Sequence, residues 1–224
     1  MALILGIETA TKNCSVALFQ NGIVIAEKEY ISDGYTHAEQ LTLFIEEVVG
    51  SANITLKDIE AVALSMGPGS YTGLRIGTST AKGLCYSLEI PLLAISTLKA
   101  MAFAMAENKT KAIYCPMIDA RRMEVFSALY DENNNEVRGV QADVVGEQTY
   151  AKFLINEVLF FGDGALKCKE IISHKNAKFI EGINPSAKNL GILANAKFEN
   201  KDFEDVAYFE PYYLKDFVAG KKKA

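Results

Sequence analysis

Leu3-Ile4-Leu5-Gly6-Ile7-Glu8-Thr9-Ala10-Thr11-Lys12-Asn13-Cys14-Ser15-Val16-Ala17-Leu18-Phe19-Gln20-Asn21-Gly22-Ile23-Val24-Ile25 stands near the start of a chain of 224 residues. Residues 3–7 form a near-continuous apolar run, as in a strand buried on both faces. Residues 15–19 and 23–25 flank Asn21-Gly22, the strongest short hairpin signal. The connection between the first two strands is rich in hydroxyls and begins with a carboxylate, Glu8, at a strand end.

Downstream, strands and helices alternate. Thr36-His37-Ala38-Glu39 has capping-box form, and Leu41, Phe44, Ile45 and Val48 follow at helical spacing up to a stop at Gly50. A strand at 61–65 leads into Gly67-Pro68-Gly69-Ser70-Tyr71-Thr72-Gly73-Leu74-Arg75-Ile76-Gly77, which runs into a second helix reaching about Leu88. A strand at 92–95, a helix at 98–107 and a strand at 112–118 continue the alternation that marks an α/β sheet. Asp119-Ala120-Arg121-Arg122 then precedes an extended stretch at 123–130 and an Asn-rich turn at 131–135. Beyond about residue 145 the pattern predicts helices at 148–156, up to about 172 and at 186–198, with a strand at 158–161 and the turn Gly162-Asp163-Gly164. Lys221-Lys222-Lys223 reads as a solvated tail and only weak support for RNA contact.

Composition narrows the function classes. Half the residues are hydrophobic, 23% are charged and the net charge is −5, which excludes a disordered chain and argues against an autonomous nucleic-acid binder. No apolar run approaches the ~18 residues of a membrane span, and the first residues lack a signal peptide's basic start, so a cytoplasmic, membrane-free protein is expected. Cys14, Cys85, Cys115 and Cys168 are too dispersed for a metal knuckle or a dense disulfide framework.

The glycine-rich stretch is the most informative chemically. A loop entering a helix start offers N–H groups to a phosphate, yet no Gly-Lys-Ser/Thr or Gly-x-Gly-x-x-Gly pattern is present, so a tight packing turn explains it equally well. Its phosphate or nucleotide candidates, with the first connection, are Glu8, Thr9, Thr11, Gly67, Gly69, Ser70 and Arg75. Gly73, Gly77 and Ala81, with Thr80 beside them, recur one turn apart; helical Gly costs about 1 kcal/mol against Ala, so another backbone must come close, within this chain or in a partner. His37 is followed one turn later by Leu41, so no His-x-x-x-His pair can hold a metal, and no intrinsic metal is expected. Glu8, Asp119 and Asp163 each follow a strand and make a weak kinase-like set.

Taken together, Leu5-Gly6-Ile7-Glu8-Thr9-Ala10, His37-Ala38-Glu39-Gln40-Leu41, the stretch from Gly67 to Gly77 and Asp119-Ala120-Arg121-Arg122-Met123-Glu124-Val125 resemble the TsaB/YeaZ family. The match is specific to about residue 130; the rest agrees in outline, including Pro211, Tyr213 and Leu214, and Glu8 stands where the family commonly has Asp. The resemblance implies an actin-like, sugar-kinase-type fold with an N-terminal lobe at 1–110 and a smaller C-terminal lobe at 111–224, whose final helix packs back on the first lobe. It also implies a non-catalytic subunit, with no catalytic residue of its own, in threonylcarbamoylation of tRNA adenosine 37. The implied partners are a TsaD-type transferase, a TsaE-type P-loop ATPase and, through the complex, tRNA. The implied interface lies on the first two helices, at His37, Gln40, Leu41, Phe44, Ile45, Gly73, Gly77, Thr80 and Ala81, a surface that would form a homodimer when the chain is alone. An ATP or ADP contact belongs to the assembled complex. The alternatives are an ATP-dependent small-molecule kinase using Glu8, Asp119 and Asp163 and, third, a glycoprotease-type metallopeptidase.

Overall fold

Ten strands and four α-helices make up the computed structural model, which describes residues 2–32, 34, 36–106 and 110–215. The lysine tail and the expected helix end at Glu107 lie outside the described residues. In chain order the elements are β1 (Leu3–Glu8), β2 (Asn13–Gln20), β3 (Ile23–Ile31), α1 (His37–Ser51), β4 (Ala61–Ser65), α2 (Tyr71–Leu88), β5 (Leu92–Ile95) and α3 (Thr97–Ala106). There follow β6 (Ile113–Asp119), β7 (Glu124–Tyr130), β8 (Glu136–Val144), β9 (Val158–Phe161), β10 (Ala177–Ile180) and α4 (Gly191–Glu199).

The strands form two five-stranded sheets, ordered β3-β2-β1-β4-β5 and β10-β9-β6-β7-β8. In the first, β1 pairs antiparallel with β2 and parallel with β4. In the second, β6 pairs antiparallel with β7 and parallel with β9. The same plan is thus used twice, with β6 to β10 standing for β1 to β5. This is the actin-like α/β architecture, and the duplication shows in topology alone.

Each sheet is covered on both faces. Leu5, Ile7, Leu18, Val62 and Leu64 pack under Leu41, Phe44 and Ile45 of α1 and Ala81 and Cys85 of α2. The opposite face, with Ile4, Phe19, Ala63 and Leu93, meets Ala100 of α3 and the returning segment Ala187, Leu190 and Ala194. Burial on both faces explains why β1 and β4 read as unbroken apolar runs rather than alternating ones. Helix α3 is apolar on most of its sides, Lys99 excepted, because Leu98, Met101 and Ala102 also pack on Tyr114, Ile118 and Phe161 of the second sheet.

Several boundaries differ from the sequence pattern. The Thr36 side chain makes no capping bond, and α1 runs past Gly50 to Ser51, with Asn53 rather than glycine in the left-handed conformation beyond it. The stretches expected as helices at 148–156 and up to 172 are chains of turns and a short 3-10 segment, Leu166–Cys168. Their bonds, such as Ala151 N–H to Gln148 O and Phe153 N–H to Tyr150 O, close over three residues. Asn176 Nδ2 meanwhile takes the carbonyl of Leu154 at 2.9 Å, a tertiary bond replacing helical continuation. Strands β8 and β10 were not anticipated: in β8 the alternation Val140-Gln141-Ala142-Asp143-Val144 is short, and Arg138 and Gly139 interrupt it. The last helix divides into a 3-10 segment, Ala187–Leu190, and α4, because Gly191 is pressed against the Phe19 ring and Gly22 O.

Three strand reversals among the described residues use left-handed backbone, the one between β7 and β8 at Asn134, φ 62°. Asn21 and Gly22 supply it between β2 and β3, at φ 53° and 80°. Between β6 and β7 it is Arg121 and Arg122 that sit at φ 68° and 49°, a conformation costing about 1–2 kcal/mol per residue for ordinary side chains.

Beneath the second sheet lies a buried polar cluster. Arg138 meets Asp143 through both nitrogens, at 2.6 and 3.2 Å, and Asp143 also accepts from Ser127 at 2.6 Å and Tyr150 at 2.9 Å. It ties β8 to β7 and to the turn segment that covers the sheet. Arg138→Met would strand a buried carboxylate, so a loss of about 3–5 kcal/mol is expected in urea unfolding. Arg138→Met/Asp143→Leu should recover part of that loss, whereas a single-variant loss below about 1 kcal/mol would show the cluster to be peripheral.

Candidate functional site

The corner between β1 and β2 is the centre of the candidate site. Glu8 ends β1 with 1% of its surface exposed, and its carboxylate turns back to accept the Ala10 N–H at 2.5 Å. The Ser65 hydroxyl at the end of β4 also bonds to it, and Ser65 pairs with Thr97 at 2.6 Å. Burial pushes the Glu8 carboxyl up to about 7, with those hydrogen bonds acting the other way. Thr9 and Thr11 are buried; Lys12 reaches solvent.

The glycine-rich stretch closes over this corner. A Cβ on Gly69 would lie 2.5 Å from Ala10 O, one on Gly73 would lie 2.1 Å from Thr9 O, and one on Gly77 would lie 2.3 Å from Thr9 Oγ1. The Ser70 N–H donates to Ala10 O at 2.7 Å, and the Ser70 hydroxyl caps α2 by accepting from Gly73 N. Gly67, at φ 112°, abuts the carbonyl of Tyr212, whose own N–H donates to Met66 O at 2.8 Å. Gly73 and Gly77 are therefore accounted for by contact within the chain.

Candidate partner residues change place accordingly. Leu41, Phe44, Ile45 and Ala81 are buried in the core beneath α1 and α2, and Gly73 and Gly77 face Thr9. They do not form an open stripe, because the sheet and the β1–β2 corner already cover that face. His37 is buried too, with its Nε2 2.7 Å from Thr11 O, and burial holds its pKa below the ordinary imidazole value. Gln40 and Thr80 keep partial exposure. What the two helices do present is Leu43, half exposed, and Tyr86, with Ile76 and Leu84 half buried and open space above Gly83. Leu43 lies off the apolar repeat of α1, a signal available in the sequence.

Arg75 stands apart from the loop. Its guanidinium lies 4.2 Å from the Tyr71 ring centroid, and its Nε donates to Tyr213 Oη at 3.2 Å. There it lines a cavity of 550 Å³ with Tyr71, Lys82, Glu210 and Tyr213, while Lys82 donates to the carbonyls of Ala207 and Phe209 at 3.0 Å. The C-terminal strap is thus fastened across α2.

Of the three acids, two meet. The Asp119 N–H donates to Asp163 Oδ1 at 3.0 Å, and the Asp119 carboxylate pairs with Lys167. Asp163 lines a polar crevice of 420 Å³ with Thr11, Lys12, Asn13, Tyr30 and Asn184. Glu8 does not line it. Among the described residues no three His, Cys, Asp or Glu side chains converge as metal ligands, and no helix is long and apolar enough to cross a membrane.

Comparison with known proteins fits this architecture. The family model described as TsaD, tRNA N6-adenosine threonylcarbamoyltransferase, matches residues 33–223. The tRNA threonylcarbamoyladenosine biosynthesis protein TsaB of Escherichia coli K12 is 31% identical, covering 98% of this chain and 97% of that protein. TsaB of Bacillus subtilis 168 is 32% identical over 95% of this chain and 93% of its own. Among solved structures, YeaZ from Pseudomonas aeruginosa superposes with a TM-score of 0.78 at 23% identity, covering 96% of this chain and all of that one. The activator of 2-hydroxyisocaproyl-CoA dehydratase from Clostridium difficile shares the fold with a TM-score of 0.51 at 12% identity, covering 91% of this chain and 98% of that one.

Two tests follow from the buried corner. Neutral Glu8 favours the folded state fully below pH 4.5, its unfolded value, and that contribution is lost as pH rises through about 7. Glu8→Gln should therefore gain stability relative to the parent between pH 5 and 8, by about 3 kcal/mol at the upper end, at roughly 1.4 kcal/mol per pKa unit. Chemical unfolding across that range checks it, and a pH-independent difference would refute it. Separately, Gly73→Ala should cost about 1–3 kcal/mol by forcing Thr9 away. Gly83→Ala, with open space above it, should instead gain about 0.5–1 kcal/mol. Equal effects at the two positions would mean that close approach is not what places these glycines.

Proposed function

The chain belongs to the TsaB/YeaZ family, and on that premise we propose that it is a non-catalytic subunit for N6-threonylcarbamoylation of tRNA at adenosine 37. In this reading it binds and activates a TsaD-type transferase, works alongside a TsaE-type P-loop ATPase, and meets tRNA within that complex. Near-full-length kinship with proteins named for this biosynthesis carries the reading. The interior of the chain supports the non-catalytic part. Glu8 is enclosed, bonded to its own loop and outside the lining of the crevice at Asp163, and His37 bonds to Thr11 O, with buried Leu41 one turn on.

The partner surface proposed is the outer face of α1 and α2, where Leu43, Ile76, Thr80 and Gly83 replace the buried stripe as contact residues. The same face would pair two copies of the chain when no transferase is present, since exposed apolar helix surface tends to be covered.

Leu43→Glu is expected to weaken association with the transferase subunit on the order of tenfold or more while moving the unfolding midpoint little. Leu41→Asp should instead unfold the chain, because it places an unpaired charge in the core. Calorimetric titration and thermal unfolding of both variants decide the matter. A Leu43→Glu chain that binds as tightly as the parent would move the interface elsewhere.

A further inference from the structure

The β6–β7 hairpin takes no part in the reading above, and its sequence is poorly suited to a mere reversal. Arg121 and Arg122 are the only consecutive non-glycine residues at positive φ among the described residues. The β2–β3 reversal of the same chain meets the left-handed requirement with Asn21 and Gly22, which adopt it readily. The two arginines are therefore not there for the turn.

The tip is held firmly. The Arg121 N–H donates to Asp119 Oδ1 at 2.9 Å, Ala120 N–H donates to Glu124 O at 3.1 Å, and Lys167 Nζ donates to the carbonyls of Arg122 and Glu124 at 2.9 and 2.7 Å. The neighbouring carboxylates are already matched by lysines, Asp119 by Lys167 and Glu124 by Lys215. Both arginine side chains are exposed, and their guanidinium groups enter no hydrogen bond or ion pair with a described residue. On a chain of net charge −5, two adjacent guanidinium groups with no ion-pair partner among the described residues stand on one anchored tip. A guanidinium is a planar fork that grips phosphate oxygens in bidentate fashion.

We propose that the Arg121–Arg122 hairpin is a direct contact of this subunit with RNA phosphodiesters, gripping the tRNA backbone in the assembled complex. This rests on the function proposed above. Two arginines supply few phosphate contacts, so the hairpin positions RNA that the complex as a whole holds.

The test is tRNA affinity of the complex with the transferase subunit, measured against salt concentration, for the parent and for Arg121→Asn/Arg122→Gly. That variant keeps residues suited to left-handed backbone and removes both charges. Expected are unchanged assembly, an equal or higher unfolding midpoint, about tenfold weaker tRNA binding near 0.1 M salt, and a log–log salt slope shallower by about 1.5. Arg121→Lys/Arg122→Lys should keep most of the slope. Unchanged affinity and slope in the Asn-Gly variant would overturn the proposal. Lost ADP binding with tRNA binding intact would assign the hairpin to a nucleotide phosphate instead, and lost assembly would assign it to an acidic protein surface. A parent chain that does not assemble with the transferase, or a parent complex that does not bind tRNA, would overturn the functional reading and this contact together.

Discussion

Backbone against backbone, without a Cβ between, is the contact on which this fold turns. In the first sheet, the corner leaving β1 presses on the segment leaving β4, at Gly69 against Ala10 and Gly73 against Thr9, with Gly77 one turn on against the Thr9 side chain. In the second sheet, Gly162 and Gly164 after β9 press on Met117 O and on the Ile118–Asp119 peptide of β6. Any side chain would push these corners apart, since real Cβ atoms do not approach other atoms to the 2.1–2.9 Å found there. The spacing sets the angle at which α2 leaves its strand and closes the space above Glu8.

Equivalent positions of the two sheets consequently meet opposite environments. Glu8 and Asp119 both end the first strand of a sheet that is antiparallel on one side and parallel on the other. Glu8 is sealed beneath the glycine-rich segment and raised toward neutrality. Asp119 stays exposed, pairs with Lys167 and caps the arginine turn. Between the sheets, α3 packs on both, which requires a helix apolar on most of its sides, Lys99 being its one charged and exposed residue.

The second sheet also shows how a sheet can stay covered with fewer helices. Where α1 and α2 shield the first sheet, turns carrying Tyr150 and Leu154 and a short segment with Ala165 and Cys168 shield the second. So small a cover leaves polar groups inside, and Arg138, Asp143, Ser127 and Tyr150 bond to one another there, with Arg138 Nε left buried without a partner among the described residues. Tyr150 also packs edge-on against Phe160, so one side chain serves both the polar cluster and the apolar core.

Local pattern was enough for the first half of the chain. Apolar runs and the Asn21-Gly22 signal located β1, β2, β4 and β5, and helical spacing located α1 and α2, because there each residue's burial follows from its own segment's period. Those motifs, from Glu8 to Arg122, also carried the family resemblance. The spacing of Gly73, Gly77 and Ala81 called for a close neighbour without naming it, since a helix repeat looks the same whether the facing backbone belongs to the chain or to a partner. The fold supplied Thr9 as that neighbour and the core for Ala81, and it moved the open surface to Leu43 and Gly83. Strand β8 was hidden because its inward polar residues, Arg138 and Asp143, bond to each other and to Ser127 and Tyr150 on neighbouring segments, which no local period records, and β10 because it is only four residues long. The duplication of the sheet, and with it the correspondence of Glu8 to Asp119, exists only in strand order, because pairing across the sheet is a relation between segments rather than a property of either one.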